Sequence, residues 1–142
     1  MPGYRRILVA LDFSESNART VAVAAEWARA FKGRLQLAHV VPLSGLREAE
    51  ARDALEAFEV PGPDLVESRT VTQALSPDLG LLALAKERGA DLIVMGTHGR
   101  TALRHVRLGS TAERVVEYSR CPVLTVRDPS YRYERPLEED TR

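Results

Sequence analysis

The run RRILVAL at residues 5–11 constrains this chain more than any other stretch. Five apolar residues, Ile7 to Leu11, follow one another without the polar alternation of a half-solvated strand. Such a run reads as a strand covered on both faces, as in a parallel sheet. Further strands are read at residues 35–41, 91–95 and 123–126. Residues 65–73 are more polar, with Glu67, Ser68, Arg69 and Thr70, and suit a sheet edge.

Helical patterns separate these strands. Ser14 reads as the N-cap of a first helix, with Ala18, Val21, Ala22, Ala25 and Ala28 on one face and Gly33 as its left-handed terminator. Residues 44–58 read as a short exposed helix whose apolar marks are Leu46, Ala49, Leu55 and Phe58. Ser76 and Pro77 open a third helix that ends at Gly89. Gly80 inside it costs about 1 kcal/mol of propensity relative to alanine. A fourth helix begins near Gly109 and Ser110 and runs to about Arg120.

Strands alternating with helices at this spacing require right-handed crossovers and a parallel sheet covered on both faces. The expectation is therefore a single-domain α/β fold with a five-stranded parallel sheet of order 3-2-1-4-5. Its two most apolar strands lie side by side at the centre. Ligands of such sheets bind at the carboxyl ends of the strands where the winding reverses. Asp12 and the segment from Gly96 to Gly99 meet there.

Composition narrows the function classes. The chain has 142 residues, 44% hydrophobic and 28% charged, which fits one soluble domain over residues 1–128 followed by a polar tail at 129–142. Twenty basic residues balance twenty acidic ones, which argues against a nucleic-acid partner. No apolar run is long enough for a membrane span or a signal peptide, so the cytoplasm is the expected compartment. The lone Cys121 excludes an internal disulfide and reads as a small buried hydrophobe. His39 reads as a packed core or rim histidine, and His39, His98 and His105 lack the company a metal site needs. Trp27 and Phe31 stand at helical spacing and read as packing residues.

The chemistry concentrates in one constellation. Met95-Gly96-Thr97-His98-Gly99-Arg100 leaves the fourth strand, and Gly109-Ser110-Thr111 enters the next helix. Glycine lets a backbone approach a ligand without a Cβ in the way. Main-chain N–H groups at Gly109, Ser110 and Thr111 then form a donor cluster at a positive helix end, suited to phosphate. Arg100, Arg104 and Arg107 add positive charge. Two plain uses compete with this one: strand-to-helix turns need glycines anyway, and Ser110 with Glu113 has the spacing of a capping box. Asp12 is open to either of two roles, bonding its own helix entry or contacting a ligand. His98 is likewise either a solvated loop residue or a ligand contact.

The spacing Gly96-x-x-Gly99-(nine residues)-Gly109-Ser110 resembles the ATP-binding signature of the universal stress proteins. The likeness extends over ILVALDFSESN, AHVV, GADLIVMGTHGR, LGSTAERVV and CPVLTV, nearly the whole chain. The resemblance implies an adenine nucleotide alpha hydrolase-like sheet and ATP with Mg²⁺, held without a P-loop. It implies further that Asp12 contacts the ribose or adenine side, that Val40 offers main-chain groups to adenine, and that Met95 and Gly96 line ribose and base. His98, Gly99 and Arg100 would border the phosphates, and Gly109, Ser110 and Thr111 would bind them. A homodimer through Val123–Val126, whose apolar edge needs a partner, and a further protein partner not identified by the sequence complete the expectation. Leu11 stands where many ATP-binding members have proline, and the segment between strands two and three is short, which leaves the adenine pocket more open. The expected role is nucleotide-dependent regulation in a stress response. The alternative is a slow ATPase or nucleotidyl-transfer enzyme using the same cleft.

Overall fold

A computed structural model describes residues 3–98 and 108–128. Five strands and four helices follow one another in the chain: β1 Arg6–Ala10, α1 Asn17–Phe31, β2 Arg34–Pro42, α2 Glu48–Ala57, β3 Val66–Ala74, α3 Pro77–Arg88, β4 Leu92–Gly96, α4 Ser110–Tyr118 and β5 Val123–Val126. The sheet is parallel with order β3-β2-β1-β4-β5, as the alternation requires.

Two cores flank this sheet. Ile7, Val9, Leu35, Leu37, Leu92 and Val94 point to one face and pack with Val21, Ala24, Ala25 and Ala28 of α1 and Leu55 of α2. Leu8, Ala38, Ile93 and Met95 point to the other and pack with Leu81 and Leu84 of α3 and Val115 of α4. Ile7, Leu8 and Val9 are 0% exposed. Each such side chain contributes about 1.5–3 kcal/mol by leaving water, which is why this strand takes the sheet centre.

Helix entries and exits depart from the sequence expectation in instructive ways. The cap of α1 is Ser16 rather than Ser14, and Lys32, not Gly33, takes the left-handed terminal conformation with φ 57°. Gly33 serves a different need: a Cβ there would collide with the carbonyl oxygen of Tyr4, where β2 starts beside β1. Ala18 is exposed, and the buried stripe runs through Asn17, Thr20, Val21, Ala24, Ala25 and Ala28. Two polar residues therefore begin the buried face. α2 is shorter than expected, leaving Leu46 outside it, and Ala49 lies on its exposed face. Gly80 has a packing reason, since a Cβ would meet Val40 Cγ1 at 2.7 Å and Ala74 Cβ at 3.1 Å. Cys121 is half-buried rather than buried, with Ser119 Oγ 3.5 Å from its sulfur. Trp27 and Phe31 do pack, against each other and Tyr4, with ring centroids 5.0–5.8 Å apart. Residues 129–142 lie outside the described residues.

Candidate functional site

β1 and β4 run side by side to the register pair Val9↔Val94, and their carboxyl ends open two turns at the point where the winding reverses. The first turn leads from β1 into α1. Asn17, 3% exposed, reaches back into it. Its Oδ1 accepts the main-chain N–H of Asp12 at 3.0 Å and of Phe13 at 2.7 Å. Its Nδ2 donates to Asp12 Oδ1 at 3.0 Å and to Ser14 Oγ at 3.4 Å. The Ser14 N–H donates to the same Asp12 Oδ1 at 3.0 Å. Asp12 thus bonds its own helix entry through one carboxylate oxygen, and Oδ2 makes no bond among the described residues.

Phe13 lies at φ 62°, a left-handed conformation that costs a bulky L-residue about 1–2 kcal/mol. Its ring sits 4.5 Å from the His39 imidazole, and His39 Nδ1 is 2.7 Å from the Leu11 carbonyl oxygen. His39 is thus a rim histidine of β2 that ties the end of β1. Ala38 accepts the Leu11 N–H at 2.8 Å, where the β1–β2 ladder ends. Main-chain groups alternate sides along a strand, so Val40 points its own toward the same side, beyond the end of β1.

The second turn leaves β4. Gly96 has no positive φ, and a Cβ added to it would sit 3.6 Å from the His98 carbonyl oxygen and 3.7 Å from Ser16 Oγ and Thr20 Oγ1. Those are ordinary contact distances, so neither the backbone conformation nor packing among the described residues demands glycine here. The same distances place the β4 exit against the N-terminus of α1, which brings the two turns together. Thr97, 8% exposed, is pinned by its N–H to the Val126 carbonyl at 3.2 Å, and its hydroxyl lies 2.9 Å from His98 Nδ1.

Thr97 also alters the expected donor cluster. Its carbonyl accepts the Gly109 N–H at 2.6 Å, which ties the exit of β4 to the start of α4. Gly109 is the N-cap of α4, and its own carbonyl accepts the Glu113 N–H at 2.9 Å. The capping box of Ser110 with Glu113 does not form, because Ser110 is already helical and α4 has no side-chain cap bond. The N–H groups left without helical acceptors are those of Ser110, Thr111 and Ala112, displaced by one from the sequence expectation. Met95 is 5% exposed, with its side chain in the core under α3 and α4. Gly99 and Arg100, with Arg104, His105 and Arg107, lie outside the described residues.

Asp12, Gly96 and His98 therefore belong to the two turns at the carboxyl end of the sheet, with Ser110 and Thr111 opening α4 beside them and Val40 on the neighbouring strand. Sequence reading missed Asn17 and Thr97. The signal for Asn17 was a polar residue five positions after an acidic strand end, which a search for apolar periodicity passes over. Thr97 carried no signal, because its part depends on where Val126 and Gly109 lie.

A family model described as the Universal stress protein family matches residues 3–127. A universal stress protein of Methanocaldococcus jannaschii is 30% identical, with 89% of this chain and 84% of that protein covered. The solved universal stress protein UspA of Lactobacillus plantarum superposes with a TM-score of 0.75 at 27% identity, covering 89% of this chain and all of the other (100%). A universal stress protein solved in complex with cAMP gives a TM-score of 0.66 at 28% identity, over 89% of this chain and 98% of that one.

Proposed function

The chain belongs to the universal stress protein family, and from that premise we propose that it binds an adenine nucleotide, ATP with Mg²⁺, between the turns after β1 and β4. The observation that carries this reading is the pairing of two features of the second turn, facing Asp12 at the switch point. One is a glycine, Gly96, that packing among the described residues leaves unexplained. The other is the N-terminus of α4, with the N–H groups of Ser110, Thr111 and Ala112 free of helical partners. The cAMP complex of the similar protein supports the same ligand class.

In this arrangement Asp12 Oδ2 and the main chain of Val40 serve the ribose and base. Gly96 lets the ligand approach, and the α4 terminus takes phosphate together with His98, Gly99, Arg100 and the Gly109 turn. Met95 acts by its main chain, since its side chain is core. Among the described residues no three His, Cys, Asp or Glu side chains gather as a metal site. Mg²⁺ would come with the nucleotide, neutralising charge on its phosphates.

The role is regulatory: the nucleotide state changes how this protein meets a protein partner in the cytoplasm. No helix among the described residues is long and apolar enough to cross a membrane. The homodimer forms by pairing of β5, whose Val123, Leu124 and Thr125 are only half-buried at the sheet edge. Light scattering at twice the chain mass, reduced to one chain mass by Val126→Pro, supports that assembly; one chain mass for the unchanged protein removes it.

The test of the ligand is thermal. A ligand that binds only the native state at 100-fold excess over its Kd stabilises by about 2.7 kcal/mol. Millimolar ATP with Mg²⁺ should raise the melting temperature, and Gly99→Val should abolish the rise. No shift, together with no nucleotide retained through purification, overturns the reading.

A further inference from the structure

We propose that Asn17 is a positioning residue of the nucleotide cleft: its carboxamide presets the Asp12 carboxylate with Oδ2 left for the ligand, and it holds Phe13 in the backbone conformation that lays its ring on His39. The inference rests on the nucleotide reading above and names the part of this chain that prepares the site.

The orientation of the carboxamide is set by its partners. Two main-chain N–H groups, of Asp12 and Phe13, converge on one atom, which must be the oxygen because only an acceptor satisfies them. The nitrogen then faces Asp12 Oδ1 and Ser14 Oγ. One residue that is 3% exposed therefore supplies acceptor and donor to the same turn. The Asp12 carboxylate is held by two donors on Oδ1, the Asn17 amide and the Ser14 N–H, so it cannot rotate freely. The bond from the Phe13 N–H, 2.7 Å long, offsets the cost of φ 62°. A glycine at position 13 would reach this conformation without strain, but it would bring no ring to His39.

A purely architectural asparagine and a positioning one respond differently to Asn17→Asp. The aspartate keeps an oxygen for the two N–H groups. Its second oxygen, however, replaces the amide donor that stood 3.0 Å from Asp12 Oδ1. Two carboxylates so close titrate as a pair, with one proton held to higher pH than either alone would hold it. At neutral pH they repel and Asp12 swings away. On acidification the shared proton restores the lost hydrogen bond. The other ionisable groups near the turn are Glu15 just before α1, Arg19 on α1, His39 on β2 and His98 after β4. They are the same in all three proteins, and the Asn17→Ala variant controls for their own dependence on pH.

The experiment is calorimetric titration of ATP with Mg²⁺ into the full chain and its Asn17→Asp and Asn17→Ala variants at pH 7.5 and 5.5. At pH 7.5 both variants should bind about 10-fold or more weakly than the unchanged protein, the loss expected when a positioned hydrogen-bonding group is removed. At pH 5.5 the deficit of Asn17→Asp should shrink, while that of Asn17→Ala should not. Equal deficits at both pH values, or none, remove the positioning role. An unchanged protein that binds no ATP removes instead the functional reading on which it rests. Hydrogen exchange without ligand reports on folding. In Asn17→Ala the Asp12 and Phe13 amides should exchange faster while β1 and β4 stay protected. If the whole sheet loses protection, the pH comparison on Asn17→Asp decides alone.

Discussion

The two turns at the switch point are built on opposite plans. After β1 the chain is fixed by side chains: Asn17 and Asp12 bond one another and the main chain of Phe13 and Ser14, and an aromatic residue is held at φ 62°. After β4 the described chain is fixed mainly by its own backbone, through Thr97 to Val126 and Gly109. Its start is a residue with no side chain. The first plan presents a carboxylate in one orientation. The second leaves main-chain N–H groups of α4 without helical acceptors. A charged phosphate is best met by many main-chain donors at close range, whereas a sugar or base needs one well-aimed acceptor. The contrast is what a ligand with two chemically different ends would require.

The sharpest way to break this contrast is Gly96→Ala. If the glycine serves a ligand, the methyl group should leave the free protein as stable as before or up to about 1 kcal/mol more stable, through a less disordered unfolded chain. ATP stabilisation should fall by about 1.4 kcal/mol or more, a tenfold loss of affinity. Paired melting curves with and without ATP and Mg²⁺ read both quantities. An undiminished ATP shift would mean that the second turn is not shaped for a ligand at this point.

A smaller effect isolates the strain in the first turn. Phe13→Ala and Phe13→Gly both delete the ring, so they differ only in how the backbone bears the left-handed conformation. Glycine should be the more stable of the two by about 1 kcal/mol, measured by chemical denaturation. Equal stabilities, or alanine ahead, would show that the turn relaxes to an unstrained backbone once the ring is gone.

The smallest effect lies outside both turns and gives their baseline. Glu48 at the start of α2 bonds Arg52 at 2.8 Å and Gln73 of β3 at 2.9 Å, which hold its carboxyl below the ordinary glutamate value. A folded-state pKa below the unfolded one adds stability above the unfolded value, and that stability is lost as pH falls through the folded value. The advantage of the unchanged protein over Glu48→Gln should be small at neutral pH, because the pair faces solvent, and should fade as pH drops through the lowered carboxyl's own titration. Denaturation midpoints across pH 7 to 3 measure it. An advantage that grows on acidification contradicts the assignment.

Much of this protein is written in local patterns. The apolar run at residues 5–11 and its counterpart at 91–95 determined that two strands are buried on both faces, and strand–helix alternation then left few sheet orders open. Edge character of β3 was equally legible in its polar residues, as was the start of α3 at Ser76 and Pro77. Hydrophobic periodicity and capping act over a few residues, so a sequence carries them openly.

Tertiary structure alone decided how individual groups are used. Gly33 answers to the Tyr4 carbonyl on β1 rather than to a helix terminus. The Gly109 N–H, counted from sequence among the free donors, belongs to Thr97, twelve positions earlier. Asn17 looks in the sequence like the polar start of an amphipathic helix, and only the folded turn shows it bonding two N–H groups and a carboxylate. A hydrogen bond depends on distances of a few tenths of an ångström between groups that the sheet order brings together. Sequence pattern fixes which strands meet, and the packed backbone then settles which donor finds which acceptor.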